Sequence, residues 1–263
     1  MIPARKRWGQ HFLARGETAS RIVAAARLNP TDTVVEVGPG NGALTRPIAA
    51  RVERLLAIEI DPWRAAALEE EFAGERRVKI ARGDVLARPF AEWLARAGWG
   101  GPAVLVANLP YNAATPILLA AVGEPEAIAH CVVTVQREVA ERLSARPGQE
   151  NYGYLSVRAA AFARSRILFD LPPGAFRPRP RVTSSVVELL PRSPLLDASS
   201  CDRALELASL GFRSRRKTLA NALAVGGGRV KWERALEAMG KTSRVRAEEL
   251  SLDDYLRLAE IVS

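Results

Sequence analysis

Short apolar runs alternate with segments of helical spacing along the first two thirds of the chain. The runs are rich in β-branched residues and occupy residues 33–37, 55–60, 78–81, 104–107 and 131–136. Segments rich in Ala, Leu, Glu and Arg lie between them, and residues 62–72 are an example. This alternation is typical of a parallel sheet with helices on both faces. The sequence therefore predicts an α/β fold.

Two further apolar runs, 167–171 and 184–190, flank a Pro-rich stretch and are expected to close the sheet antiparallel. The prediction is a sheet of seven strands, five of them parallel. After Pro191 the composition changes, and residues 191–200 have the Pro and Ser content of a linker. Helical patterns follow at 201–211, 217–224, 230–239 and 252–262. We therefore expect two domains, residues 1–191 and a small helical domain at 192–263.

The chain carries 38 Lys and Arg against 29 Asp and Glu, a net charge of +9. This excess favours a polyanionic partner, although general solubility can also explain it. Cys131, Cys201, His11 and His130 show no metal-ligand spacing, which predicts reduced thiols and no metal site. A signal peptide and a long apolar run are both absent from the sequence. We expect a soluble cytoplasmic protein with no membrane partner.

A glycine-rich loop follows the first predicted strand, in the stretch EVGPGNGALT. Gly38 and Gly40 permit positive φ and close approach of the backbone to a ligand, so a strand, this loop and a helix can cradle a nucleotide. With Ala43 they also fit the dinucleotide fingerprint. Two alternatives therefore remain at this point. The chain could be a nicotinamide or flavin enzyme, or the loop could be a purely structural turn.

Acidic residues follow the next two strands. Glu59 lies 21 residues beyond Gly38, where a carboxylate can accept hydrogen bonds from both ribose hydroxyls of an adenosine. Asp61 is expected to cap the helix that begins at Pro62. Asp84, after the third strand, can accept a hydrogen bond from the exocyclic amine of adenine. Each acid alone is compatible with a cap or a loop residue, but three consecutive strands ending in such residues predict adenosine binding.

The fourth strand runs into Asn108-Leu109-Pro110-Tyr111. The Asn108 side chain and the Leu109 carbonyl, turned by Pro110, can both accept hydrogen bonds from one amino group, and Tyr111 can stack on an unstacked base. An exocyclic adenine nitrogen is a poor nucleophile because its lone pair is conjugated with the ring. Two acceptors favour the pyramidal form in which that lone pair is available for methyl transfer. A hydride-transfer enzyme has no use for this arrangement, so the motif argues against a nicotinamide enzyme.

These motifs are similar to those of the small-subunit ribosomal RNA adenine N6-dimethyltransferases, across nearly the whole chain. The matching stretches are RKRWGQHFL, EVGPGNGALT, AIEID, GDV, NLPYN, YGYLSV, AFRPRPRVTSSVVEL and GFRSRRKTLANAL. NLPY alone would also fit the large-subunit resistance methylases and the mitochondrial transcription-factor relatives. The resemblance implies a Rossmann-like methyltransferase sheet, S-adenosylmethionine as donor, and two neighbouring adenines near the 3′ end of small-subunit RNA, each methylated twice.

The resemblance also implies roles for individual residues. The cofactor pocket would be lined by His11, Leu13, Gly38, Gly40, Glu59, Asp84 and Asn108. His11 stands where many relatives carry Asn. Phe176, in a Phe-x-Pro-x-Pro stretch, would form the second wall of an aromatic clamp with Tyr111. The residues that act on the target base would be Asn108, Leu109, Pro110, Tyr111 and Phe176.

Three dense groups of cations suit an RNA backbone, although a charge run is often only a solvated face. They are Arg5, Lys6 and Arg7; Arg177, Arg179 and Arg181; and Arg213, Arg215, Arg216 and Lys217. The expected partners are small-subunit ribosomal RNA and the immature small subunit, bound by a monomer. A competing hypothesis is a ribosome-assembly factor in which methylation is secondary or absent. The joint presence of Glu59, Asp84, Asn108 and Tyr111 favours the enzyme.

Overall fold

One sheet organises the first part of the protein. The computed structural model describes residues 11–192, 195–224 and 228–262. Its strands are β1 (Phe12–Leu13), β2 (Thr33–Val37), β3 (Arg54–Glu59), β4 (Val78–Arg82), β5 (Ala103–Asn108), β6 (Ile128–Gln136), β7 (Ala163–Leu171), β8 (Phe176–Arg177) and β9 (Ser184–Pro191). Seven of them form a sheet in the order β4-β3-β2-β5-β6-β9-β7.

The strand directions agree with the sequence pattern. Strands β4, β3, β2, β5 and β6 run parallel to their neighbours, and β9 is antiparallel to β6. The prediction of a seven-stranded, mostly parallel sheet is therefore confirmed. A second, two-stranded sheet pairs β1 with β8 antiparallel and was not predicted. Two-residue strands are too short to give a periodic signal, and only the tertiary contact defines them.

Helices connect the strands, and both faces of the central strand β2 are covered, since all five of its residues are buried. They are α1 (Gly16–Ala25), α2 (Thr45–Ala49), α3 (Pro62–Glu71), α4 (Phe90–Arg96), α5 (Ala114–Val122) and α6 (Arg137–Ser144). Ile22 of α1, Ile48 of α2 and Leu68 of α3 share an apolar cluster with Val34 and Leu55 of the sheet. Each such side chain stabilises the fold by roughly 1.5–3 kcal/mol. The parallel strands are thereby held in a fixed register.

The C-terminal part of the chain is helical, as predicted. Its helices are α8 (Ala198–Phe212), α9 (Leu219–Leu223), α10 (Arg229–Ala238) and α11 (Leu252–Val262), and a further helix, α7 (Tyr154–Phe162), precedes β7. Helix α11 begins with reciprocal hydrogen bonds between Ser251 and Asp254, at 2.9 and 3.1 Å. This is the cap that the sequence predicted. Tyr255, fully buried, donates its hydroxyl to the Ala247 carbonyl at 2.9 Å.

Contacts divide the described chain into two compact units. The first contains residues 11–140 and 165–192, and the second contains 141–164, 195–224 and 228–262. The first unit therefore lacks one segment of the continuous domain expected at 1–191, because the excursion at residues 141–164 packs with the helical unit. Val157 of α7 is buried in the same cluster as Leu207 and Leu258. No change of composition marks this excursion in the sequence.

Both cysteines, Cys131 and Cys201, are buried free thiols, as predicted. Burial raises the pKa of the Cys131 thiol far above its ordinary value. Among the described residues, no group of three or more His, Cys, Asp or Glu side chains is arranged to hold a metal ion. None of the helices in the described part of the chain combines the length and hydropathy that a membrane span needs.

Candidate active site at the carboxyl edge of the sheet

The glycine loop after β2 is shaped by left-handed backbone conformations. Gly38, Gly40 and Gly42 have φ of 69°, 60° and 77°, which side-chain-bearing residues rarely adopt. At Gly40 the space is also restricted, because a Cβ atom there would come within 2.7 Å of the Phe12 ring. The loop thus needs glycine at Gly40 for two reasons, conformation and close approach.

Glu59, at the end of β3, holds this loop in place. Its Oε2 accepts a hydrogen bond from the Gly40 backbone N–H and its Oε1 accepts one from that of Asp61, both at 2.9 Å. The side chain is 2% exposed, and this burial raises the pKa of the carboxyl although both backbone donors favour the ionised form. Asp61 caps α3 through the Trp63 N–H at 3.1 Å, with Pro62 in the first turn, as predicted. Contact between Glu59 and a ribose stays a prediction.

Asp84 lies beside Glu59 in the next loop. Its Oδ1 accepts a hydrogen bond from the Leu86 N–H at 3.0 Å, so the carboxylate caps a short 3₁₀ helix while remaining exposed. The Gly83 N–H donates to the Glu59 carbonyl at 2.9 Å and links the two loops. The structure therefore brings both acids to one edge, as parallel adjacent strands require.

Two apolar side chains near these acids were not singled out from the sequence. Ile60 and Leu86 are each 42% exposed. Exposed apolar residues directly after the acid-bearing strand ends offer faces for a flat ring. The available signal was their position, since each stands within two residues of a predicted ligand residue.

Asn108 ends β5 with its two amide atoms in different environments. Its Nδ2 donates to the His11 carbonyl at 2.8 Å. Its Oδ1 is buried, and no hydrogen-bond partner for it is found in the described structure. The Leu109 N–H donates to the Thr134 carbonyl at 3.2 Å, and the Leu109 side chain is buried. The structure thus provides one unbonded acceptor where the sequence predicted a pair; that the Leu109 carbonyl faces the cleft stays a prediction.

The Tyr111 ring packs on a residue other than the expected one. Its ring stacks on the imidazole of His11, with centroids 5.1 Å apart and planes at 27°. The Tyr111 hydroxyl and the Ser184 hydroxyl form a hydrogen bond of 2.5 Å. Burial raises the pKa of the Tyr111 phenol. The Tyr111 ring is therefore held at its hydroxyl edge by Ser184 and on its face by His11.

Phe176 does not form an exposed wall of a clamp in this structure. It is 0% exposed and belongs to the apolar cluster under α1. The physical reason is the pairing of β8 with β1, which sets Phe176 opposite Leu13 and covers both. The prediction for Phe176 is corrected accordingly: the side chain is part of the core, and His11 is the ring next to Tyr111.

The N-terminal segment 11–13 covers the glycine loop. His11 Nδ1 lies 2.7 Å from the Pro178 carbonyl oxygen. The Phe12 ring lies next to Gly40, and the Arg64 guanidinium carbon lies 4.2 Å from the centroid of that ring. A cavity of about 940 Å³ opens beside this segment and α3. Of the predicted cofactor residues, Leu13 and Gly40 line it, whereas the other five lie outside its lining: His11, Gly38, Glu59, Asp84 and Asn108.

An acid that the sequence did not suggest lies in the strand that precedes the loop. Glu36 of β2 is 1% exposed. Burial, together with the negative charge of nearby Glu59, raises its pKa to about 8. The side chain is therefore mostly neutral at pH 7, and a hydrogen bond with the Thr45 side chain lowers its pKa only in part.

The basic groups differ in how their side chains are used. Arg5, Lys6 and Arg7 lie outside the described residues. Arg177, Arg179 and Arg181 are exposed, and Arg177 lines the cavity. In the second unit, Arg213, Arg216 and Lys217 are exposed, but Arg215 bonds the Glu248 carboxylate and the carbonyls of Glu150 and Tyr152 at 3.2–3.4 Å. Arg215 is thus engaged within the fold.

Two further arginines lie close to this third group. The Leu219 N–H donates to the Val245 carbonyl at 2.8 Å, so the exposed Arg244 and Arg246 are adjacent to the segment that ends at Lys217. Sequence inspection missed them because they are 27 and 29 residues away from Lys217 along the chain.

The fold and the residues at the carboxyl edge define a Rossmann-like methyltransferase. The family model described as ribosomal RNA adenine dimethylase matches residues 1–263. The chain belongs to this family. Proteins named "Ribosomal RNA small subunit methyltransferase A" are similar over nearly the full length: that of Thermosynechococcus vestitus is 39% identical over 100% of this chain and 98% of its own. That of Xanthomonas campestris pv. campestris is 40% identical over 98% and 96%.

Solved structures agree with this assignment. The crystal structure of the 23S rRNA methyltransferase ErmE is 26% identical with a TM-score of 0.72, covering 95% of this chain and 98% of its own. A dimethyladenosine transferase from Plasmodium falciparum, 23% identical, has the same fold with a TM-score of 0.79 over 94% and 96%.

Proposed function

We propose that this chain transfers methyl groups from S-adenosylmethionine to N6 of two neighbouring adenines near the 3′ end of small-subunit ribosomal RNA, two to each base. Its relatives at about 40% identity are named as small-subunit ribosomal RNA methyltransferases. The observation that carries the proposal is the buried, unbonded Oδ1 of Asn108. A buried acceptor without a donor is costly, and such a cost is maintained where a ligand supplies the donor.

The residues present fit the cofactor. The positive φ at Gly38, Gly40 and Gly42 lets the loop backbone approach a ligand, the buried Glu59 carboxylate holds that loop, and Asp84 lies in the adjacent loop. We assign the ribose to Glu59, the adenine amine to Asp84, and the faces of the adenine ring to Ile60 and Leu86. His11, Leu13 and Asn108 complete the assignment. When bound, S-adenosylmethionine supplies a methyl group on a positively charged sulfur.

Asn108 orients the target base. The Nδ2–H bond to the His11 carbonyl fixes which end of the amide is the acceptor, so Oδ1 is left for an N6–H of adenine. A second acceptor, the Leu109 carbonyl turned by Pro110, would hold the other hydrogen. With both hydrogens held, the nitrogen lone pair is directed away from the ring plane, and the reaction needs positioning more than a strong base.

Tyr111 supports the base from its face. Its hydroxyl bond to Ser184 holds the ring edge, which leaves the ring plane available for stacking. Because His11 now packs on this ring at 5.1 Å, His11 has to move before a base can stack on the same face. The proposed order is thus displacement of His11 followed by entry of the adenine.

The exposed cations are assigned to the RNA backbone. These are Arg177, Arg179 and Arg181 in the first unit and Arg213, Arg216 and Lys217 in the second, with Arg5, Lys6 and Arg7 of the N-terminal segment. Our assignment gives methyl transfer to the sheet-containing part, and RNA contact to the helical part together with the arginines of the first unit. We expect the protein to act as a cytoplasmic monomer on immature small subunits.

The test is incubation with radiolabelled S-adenosylmethionine and under-methylated small subunits, followed by mapping of the modified base. The expected result is label in two adjacent N6-dimethyladenines. Label at another base would overturn the target assignment. Tight subunit binding with no label would instead support the competing hypothesis, an assembly factor without methyl transfer.

A further inference from the structure

A buried carboxylate on β9, that of Glu188, contacts three basic side chains. Glu188 is 2% exposed. Its Oε1 lies 2.7 Å from Arg27 Nη2 and 3.1 Å from His130 Nε2, and its Oε2 accepts a hydrogen bond from Arg166 Nε. Burial by itself would raise the pKa of Glu188, but these three hydrogen bonds lower it. The group is therefore an ionised carboxylate with two guanidinium partners.

The cluster carries more positive charge than Glu188 needs. One guanidinium neutralises one carboxylate, whereas two are present. The side chains of Arg27 and Arg166 are 67% and 61% exposed. Each arginine has five N–H donors, and Glu188 is reached by Nη2 of Arg27 and Nε of Arg166. Donors of both guanidinium groups thus remain for a ligand in solvent, in an orientation fixed by the shared carboxylate.

Arg27 also has an unusual backbone. Its φ is 51°, and it is the one non-glycine residue with positive φ in the described ranges. Glycine or asparagine adopts this conformation after a helix with less strain. Anchoring of Glu188 does not explain the arginine, since Arg166 and His130 already bond that carboxylate. A strained residue that is kept for its side chain points to a functional contact.

The position of the cluster suits a ligand that also reaches the target-base site. Ser184, the partner of the Tyr111 hydroxyl, pairs with Gln136, and Glu188 pairs with Val132 on the same strands. Ser184 and Glu188 are four residues apart, so they lie on one face of the sheet at a separation of about 13 Å. An extended polyanion can span that distance.

We propose that Arg27 and Arg166, held together by Glu188, form a contact site for backbone phosphates of the RNA substrate. Two guanidinium groups in a fixed arrangement match the oxygens of a phosphodiester, which planar forks bind in pairs. Arg21 on α1, exposed and stacked on Phe169 at 3.8 Å, extends the positive surface. This inference rests on the proposed function, because it assigns a further contact to the same substrate.

The test compares R27G, R166Q and the double variant with the wild-type protein. Binding to a protein-free transcript of small-subunit RNA is measured over a series of salt concentrations. We expect the double variant to lose roughly 10-fold or more in affinity and to reduce the slope of log K against log salt by about 1 to 2. R27G should show part of this loss with an unchanged or higher melting temperature, since glycine adopts the backbone conformation without strain. R96Q is the matched control, because Arg96 is 63% exposed and paired with Glu92.

The possible outcomes are separable. Wild-type affinity and salt slope in the double variant, with a lowered melting temperature, would show that the cluster only braces the fold. Weaker binding to immature subunits but not to the transcript would indicate a protein contact, and would also overturn the proposal. If the double variant does not fold, R27G decides the question, because Arg166 and His130 still bond Glu188. Methyl transfer by the wild type is assayed separately, so its failure would count against the proposed function alone.

Discussion

The side-chain amide of Asn108 donates to the His11 carbonyl at 2.8 Å and leaves its own oxygen buried without a partner in the described structure. This bond ties the end of β5 to the N-terminal segment, 97 residues away along the chain. It also determines the orientation of the amide. A buried acceptor of this kind costs roughly 1–3 kcal/mol, which a donor from the substrate can recover.

Replacement of Asn108 by alanine is expected to abolish most methyl transfer. The acceptor for the adenine amine is lost, and removal of one such oriented group typically lowers kcat by about 10²–10³-fold. The measurement is single-turnover methyl transfer to under-methylated subunits. N29A is the control, because Asn29 is exposed, lies outside the proposed site, and contacts Asp32 through its backbone N–H and carbonyl. A fully active N108A variant would refute the role of Asn108.

Tyr111 is expected to act through its ring rather than its hydroxyl. Loss of base stacking costs roughly 1–3 kcal/mol, so Y111A should lose about 5- to 150-fold in kcat/KM for RNA. Y111F keeps the ring and loses only the bond to Ser184, so it should retain most activity. S-adenosylmethionine affinity, measured by calorimetry, should stay unchanged in both variants. Equal losses in Y111A and Y111F would contradict stacking as the main contribution.

Substitution of Glu59 by glutamine should weaken both the loop and cofactor binding. The amide nitrogen of Gln would face the N–H of Gly40 or of Asp61, and loss of one buried hydrogen bond costs about 1–3 kcal/mol of stability. We expect the Kd for S-adenosylmethionine to rise about 10-fold, which corresponds to a loss of about 1.4 kcal/mol in binding free energy. E69Q, at an exposed position of α3, is the control. Unchanged cofactor affinity in E59Q would argue against this ligand.

Glu36 should make stability depend on pH. Its pKa is about 8 in the folded protein and 4.5 as an ordinary carboxyl, so the folded state binds the extra proton between these values. This contribution is complete below pH 4.5 and is lost as pH rises to about 8, by up to about 1.4 kcal/mol per pH unit. E36Q mimics the neutral acid and should remove this decline. Denaturant unfolding of both proteins across pH 5–9 measures it; parallel curves would exclude the raised pKa.

The third basic group should separate into RNA-binding and structural members. The triple variant R213Q/R216Q/K217Q is expected to weaken RNA binding and to reduce the slope of log K against log salt by about 2 to 3. Its affinity for the cofactor should stay unchanged. R215Q should instead lower the melting temperature, because Arg215 bonds Glu248 and two backbone carbonyls. Binding isotherms and thermal unfolding of both variants provide the comparison. A loss of cofactor affinity in the triple variant would show a different role for this group.

The sequence pattern was sufficient for the strands, the glycine loop and the caps. The run at 33–37 became β2 with identical limits, and Asp61 and Ser251 cap the helices predicted for them. These features depend on residues close together in the chain, where period, turn chemistry and capping preferences act. The excursion at 141–164 could not be predicted in this way, since its helices have the same composition as their neighbours.

Phe176, His11 and Arg215 show the limit of local reasoning. A Phe in a Pro-rich stretch is compatible with a clamp or with the core, and its pairing with β1 placed it in the core. A His near the N-terminus does not indicate that its ring stacks on Tyr111, and an Arg in a basic run does not indicate three internal partners. Each outcome depends on which surface the folded chain brings opposite the side chain.

By itself, the order of residues determined the α/β architecture, the helical C-terminal part and the strand ends that carry Glu59, Asp84 and Asn108. Tertiary structure decided which polar atoms stay unbonded, which cations remain available and how Glu188 joins Arg27 to Arg166. Secondary structure follows from periodic burial along a short stretch of chain, so it can be predicted from the sequence. Whether a polar atom finds a hydrogen-bond partner, and which cations pair with which carboxylate, depends on atoms that come into contact only after folding.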